Sequence, residues 1–111
     1  MAQQITDFYE NTTKVFSGVI THNGSNPDTT NDTITFIMKA EKSDADASAI
    51  INEDATGLGA GGTFTFTLTP AITDDTPAQY WYEIVWHTSG GDIYVLEQGK
   101  IYVLDKVEDN V

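Results

Sequence analysis

The sequence predicts an all-β domain in which two antiparallel sheets cover each other, and three observations predict it. Apolar residues recur at every second position in short runs, clusters of turn-forming residues separate those runs, and no long stretch carries helical periodicity. A sheet that is apolar on one face must bury that face against a second layer, so several such runs imply two packed layers. A length of 111 residues suits a single domain over 1–111, with its core region at about 14–107.

Taken in chain order, Ile5 to Tyr9 reads as a leading edge strand and Lys14 to Thr21 as the next. The turn-rich segment 23–28 follows. Thr33 to Lys39 then alternates cleanly, with Ile34, Phe36 and Met38 on one face and threonines and Lys39 mostly on the other. Ser43 to Ala49 is the one stretch whose alanines tolerate a helical turn, and Ala49 to Glu53 reads as another strand. The glycine-rich segment 57–62 leads into Thr63 to Thr69, where Phe64, Phe66 and Leu68 point inward and four threonines outward until Pro70 ends the run. After the turn at 74–77, Gln79 to His87 and Ile93 to Gln98 form a hairpin across Ser89-Gly90-Gly91-Asp92. Gly99 is expected to break or bulge the chain before a last strand, Lys100 to Val107, and both polar ends to fray. Seven or eight strands without a strong helix point to an antiparallel β-sandwich of immunoglobulin type, with an open barrel as the structural alternative.

The strand at 80–87 has two faces of different character. Tyr80, Tyr82, Ile84 and Trp86 form a continuous apolar face and, with Phe36, Phe64 and Phe66, are the expected core. Tyr80 also stands where sandwich proteins use a corner tyrosine to bond nearby backbone. The other face carries Trp81, Glu83, Val85 and His87, the candidate interface.

Composition narrows the function. Seventeen acidic residues against five lysines give a formal charge of −12, a field that repels phosphate backbones and anionic lipid, so neither nucleic acid nor membrane is an expected partner. No cysteine is present, which excludes disulfides and thiolate metal sites and fits assembly in a reducing cytoplasm. The opening residues offer neither a basic start nor an apolar run of signal length, so the expected chain is soluble and stays where it is made. The Asn-x-Ser/Thr triplets at Asn11, Asn23 and Asn31 are what a threonine-rich composition produces by itself.

No motif selects a reaction. Residues 57–62 satisfy Gly-x-Gly-x-x-Gly, but a strand follows where a nucleotide site needs a helix, so a flexible connection is the expected role. The acidic pairs Asp44/Asp46, Glu53/Asp54 and Asp74/Asp75 raise calcium, yet a loop counted from Asp44 has Ala49 where the EF-hand glycine belongs and Ala55 where the closing glutamate belongs. Solvated acidic loops explain them. His22 and His87 lack a third ligand type beside them, and no serine sits on a nucleophile elbow. Glu83 with Glu97 is formally a carboxylate pair, but nothing in the sequence selects it. The expectation is a non-enzyme with no cofactor and no metal. Trp81, Tyr94 and Tyr102 leave carbohydrate stacking open beside protein docking.

Several runs together resemble a known group. They are Lys14-Val15-Phe16-Ser17-Gly18-Val19-Ile20, Ile34 to Lys39, Phe64 to Thr69, Tyr80-Trp81-Tyr82-Glu83-Ile84, Tyr94-Val95-Leu96 and Gly99-Lys100-Ile101-Tyr102-Val103. The pattern is similar to the small immunoglobulin-like domain of tailed-phage virion structural proteins, such as the N-terminal domain of baseplate upper proteins. It spans roughly residues 14–107 and rests mainly on core and turn positions. Unlike those longer proteins, the sequence given stops at Val111. The resemblance implies a virion structural or accessory protein of head, neck, tail or baseplate, made in the host bacterial cytoplasm. It would dock in several copies, or as a homo-oligomer, onto other virion proteins. The alternative is a carbohydrate-binding module that adheres to glycans.

Overall fold

A computed structural model describes residues 7–45 and 48–105 and forms them into seven strands joined by turns. These are β1 (Phe8–Tyr9), β2 (Lys14–Val19), β3 (Thr33–Lys39), β4 (Ile51–Asp54), β5 (Thr63–Leu68), β6 (Ala78–His87) and β7 (Ile93–Leu104). Ile5 and Thr6 of the expected leading strand, Asp46 and Ala47 of the acidic turn, Lys106 and Val107 of the expected last strand and both expected frayed ends lie outside the described residues.

The strands make a five-stranded sheet in the order β1-β7-β6-β3-β4 and a two-stranded sheet of β2 and β5. The expectation of purely antiparallel pairing is corrected here: β1 runs parallel to β7, with Phe8 beside Val103 and Tyr9 beside Leu104. The other pairings are antiparallel. A parallel edge pair needs a long connection through the rest of the chain, and here that connection is nearly the whole domain.

Alternation fixes which residues meet between the sheets. From β5 come Phe64, Phe66 and Leu68; from β3, Ile34, Phe36 and Met38; from β6, Tyr80, Tyr82, Ile84 and Trp86; all are buried. Phe16 of β2 lies 5.1 Å from Phe66 and 5.5 Å from Phe36, ring centre to ring centre, and so links the two sheets. Each fully buried side chain of this size contributes about 1.5–3 kcal/mol. Tyr80 donates from its hydroxyl to the Thr76 carbonyl at 2.6 Å, tying the start of β6 to the turn before it.

Gly99 does not interrupt the chain as expected. β7 runs unbroken through it, and the Tyr82 ring of β6 lies 3.5 Å from where a Cβ would stand. The irregularity falls earlier: Ile84 faces Glu97 while Val85 faces Val95, so Leu96 is the extra residue of a bulge. Beyond the bulge the parity of the strand changes, so Ile93, Val95, Gln98, Lys100 and Tyr102 all lie exposed on the outer face.

Two turns explain themselves. Asn23 and Gly24 have φ of 54° and 81°, the paired positive angles of a type I′ turn, and His22 and Ser25 close it with reciprocal backbone bonds of 2.7 and 3.1 Å. The glycine-rich 57–62 segment is not the loose connection expected of it. Buried Thr29 donates its amide to the Gly59 carbonyl at 3.0 Å, and Gly62 accepts from the Ile20 amide at 2.9 Å.

Candidate functional site

The outer face of the five-stranded sheet is set by register. One row across it reads Lys39, Trp81, Lys100, from β3, β6 and β7. The next reads Asn52, Ile37, Glu83, Gln98, and the next Asp54, Thr35, Val85, Val95. Thr33, His87 and Ile93 form the last. The face therefore changes along its length, from lysines around a tryptophan at one end to valine and isoleucine at the other.

Trp81 is half-buried and lines an open pocket together with Ile37, Glu83 and Gln98. Two ammonium groups sit over its ring: Lys42 Nζ at 5.0 Å and Lys100 Nζ at 5.4 Å from the centroid. Each such cation–π contact contributes about 0.5–1 kcal/mol at an exposed site. Lys42 is carried there by the turn after β3. In that turn the Asp44 carboxylate accepts from the Glu41 amide at 3.2 Å, and Lys39 donates to the Asp44 carbonyl at 2.8 Å.

The four residues expected at the interface are not equivalent. Trp81 and Glu83 are half-buried and His87 is exposed, all on the outer face. Val85 is a correction: it shares that face but is only 6% accessible. β6 is the central strand of five, so Val85 is flanked by Thr35 and Val95, and Thr35 is held there by a 3.1 Å bond to Asp54. Large apolar side chains do stand exposed on this face nearby, with Ile93 at 64% and Val95 at 51%. They belong to β7, which the alternation of β6 alone does not single out.

The inner face ends in a second aromatic group. Trp86 lies 5.0 Å from Tyr94 and 5.5 Å from His22, and its indole N–H donates to Asp32 at 2.8 Å. The other oxygen of Asp32 accepts from the Ser89 amide at 2.8 Å. One carboxylate thus satisfies a buried indole and anchors the β6–β7 hairpin loop. Asp32→Ala is expected to cost about 1–3 kcal/mol by leaving the indole unpaired; a denaturant midpoint equal to wild type would contradict it.

Glu83 and Glu97 face opposite sides of the sheet, and Glu97 accepts from the Tyr82 hydroxyl at 2.5 Å. Burial first, then that bond and the Glu97 charge, hold the Tyr82 phenol well above the usual tyrosine range. His22 packs against Tyr94 while His87 faces outward. Among the described residues no three His, Cys, Asp or Glu side chains are grouped to hold a metal ion. The strand β5 directly follows the 57–62 glycines, where a nucleotide site needs a helix.

Asp75 is a half-buried acid in the turn before β6. Its buried Oδ2 accepts no hydrogen bond among the described residues, and burial, helped by the neighbouring Asp74 charge, pushes its pKa up to about 6. Burial first and the Asp75 charge second also raise the Tyr80 phenol. Between pH 3.8 and about 6 the folded chain therefore keeps a proton that the unfolded chain has released, so stability falls as pH rises through that window. Asp75→Asn is expected to flatten this slope and to add about 1 kcal/mol above pH ~6, partial exposure screening the rest. Thermal melts across that range check it, and an unchanged slope would assign the effect elsewhere.

No protein-family model matches the chain, and no curated protein matches it in sequence.

Proposed function

We propose that this chain is a non-enzymatic assembly domain that docks onto other proteins through the outer face of its five-stranded sheet. The observation that carries the reading is the character of that face. Trp81 stands ringed by lysines at one end, and Ile93 and Val95 stand exposed at the other, on a rigid sheet whose opposite side is the core. A surface aromatic with exposed aliphatic neighbours is the usual anchor of a protein contact. The glycan alternative has less support, because two lysine ammonium groups already occupy positions over the Trp81 ring where a sugar would stack.

The finer fold we propose is an immunoglobulin-like sandwich. Its support is the face-to-face packing of β2–β5 on β3 and β6, and the Tyr80 hydroxyl bonded to backbone four residues upstream, as a corner tyrosine is. The setting we propose, a tailed-phage virion, rests on the resemblance of the strand sequences described above.

Quantitative mass spectrometry of purified particles tests that setting. A stoichiometric, multi-copy presence is expected. Absence from particles, together with glycan-array binding that Trp81→Ala abolishes, would replace the reading by a carbohydrate-binding module.

A further inference from the structure

Three of the chain's five lysines meet at Trp81. With seventeen carboxylates in the chain, lysines brought together would be expected to find acidic partners. Lys42 and Lys100 do not: neither makes an ion pair with a described carboxylate, and each is held over the indole ring instead. Glu83 lines the same pocket without pairing to them. The Lys42 and Lys100 ammonium groups therefore lie close together over one ring, a local concentration of positive charge that favours an anionic group there.

We infer that the Lys39–Trp81–Lys100 row, overhung by Lys42, is the seat for an acidic, carboxylate-bearing polypeptide segment of the docking partner. This deepens the docking reading and rests on it. Charge complementarity selects the occupant: the row is a cationic strip on a molecule of net charge −12. Lys39 and Lys100 lie two strand spacings apart, about 10 Å, and carboxylates on alternate residues of an extended chain lie about 7 Å apart, a difference that the long, flexible lysine side chains can take up. The strip is also bounded. Glu83 stands in the next row on one side, and on the other Tyr102 is bonded to Gln79 at 3.4 Å. A short acidic segment brings few charges into the surrounding negative field, whereas a nucleic acid brings a long polyanion that this field repels.

The test follows the indole N–H signals by NMR while the full chain is titrated with a short oligoglutamate peptide. Trp86, bonded to Asp32 in the core, is the internal reference for an intact fold. The Trp81 signal is expected to move and that of Trp86 to stay. Apparent affinity should fall about tenfold in the Lys42→Ala/Lys100→Ala variant and about as much in ~0.5 M salt, while the Lys42→Arg/Lys100→Arg variant retains it. An equal shift with oligoglutamine, an unchanged affinity in the alanine variant, or tighter binding of single-stranded DNA than of the peptide would overturn the acidic seat. So would a silent Trp81 signal. If in that case Trp81→Ala still fails to assemble, the docking face stands and only its acidic occupant is lost; if it assembles normally, both fail.

Discussion

Trp86→Ala is expected to destabilise the domain by about 3–5 kcal/mol, the cost of removing a large buried aromatic from a packed site. The loss has three parts. The indole fills the end of the core beside Tyr94 and His22, its N–H holds Asp32, and Asp32 in turn holds the hairpin loop through Ser89. For a domain of this size the melting temperature should drop by roughly 15 °C or more. Trp86→Phe separates the parts: it keeps most of the packing and loses the bond, so it should fall between wild type and alanine. Denaturant titration measures both, and an alanine variant within about 1 kcal/mol of wild type would remove Trp86 from the core.

Gly62→Ala is the second large effect, and it acts through backbone. Gly62 has φ of 74°, and a Cβ there would stand 2.8 Å from the Ile20 carbonyl oxygen and 3.3 Å from that of Pro27. Neither oxygen can swing away as a side chain would, and the Ile20 amide is bonded to Gly62 itself. Left-handed backbone alone costs a non-glycine residue about 1–2 kcal/mol, and the clash adds to it, so a loss above about 2 kcal/mol is expected. Gly61 is the control. It has no positive φ and nothing within 4 Å of its Cβ position, so Gly61→Ala should stay within about 0.5 kcal/mol of wild type. Equal melting curves for the two variants would contradict the close approach.

What could be read from the sequence was local. Alternation in β3, β5 and β6 sorts inner from outer residues because a strand's side chains change face at every step. What escaped was set by neighbours distant in sequence. Val85 is buried because two strands flank it, which its own strand cannot reveal. β7 passes through Gly99 because Tyr82 shields the position, and its parity changes at Leu96, so the exposure of Val95 and Lys100 depends on a bulge. The parallel pairing of Phe8 with Val103 joins residues far apart in the sequence. At the candidate site, Trp81 and Glu83 were legible as one face of β6. The lysines were not: Lys39 and Lys100 reach Trp81 by register, and Lys42 by the turn that Asp44 closes. Asp32 lies 54 residues from the indole it accepts from, so nothing local marked it.

The docking role is tested most directly by competition for assembly. Particles would be formed with equal amounts of wild-type and Trp81→Ala chain, and the incorporated copies counted by mass spectrometry. The expected result is a variant depleted about tenfold or more, as loss of an aromatic anchor implies, whose melting temperature stays within a few degrees of wild type. Equal incorporation, or a loss of stability as large as that of Trp86→Ala, would contradict the docking face.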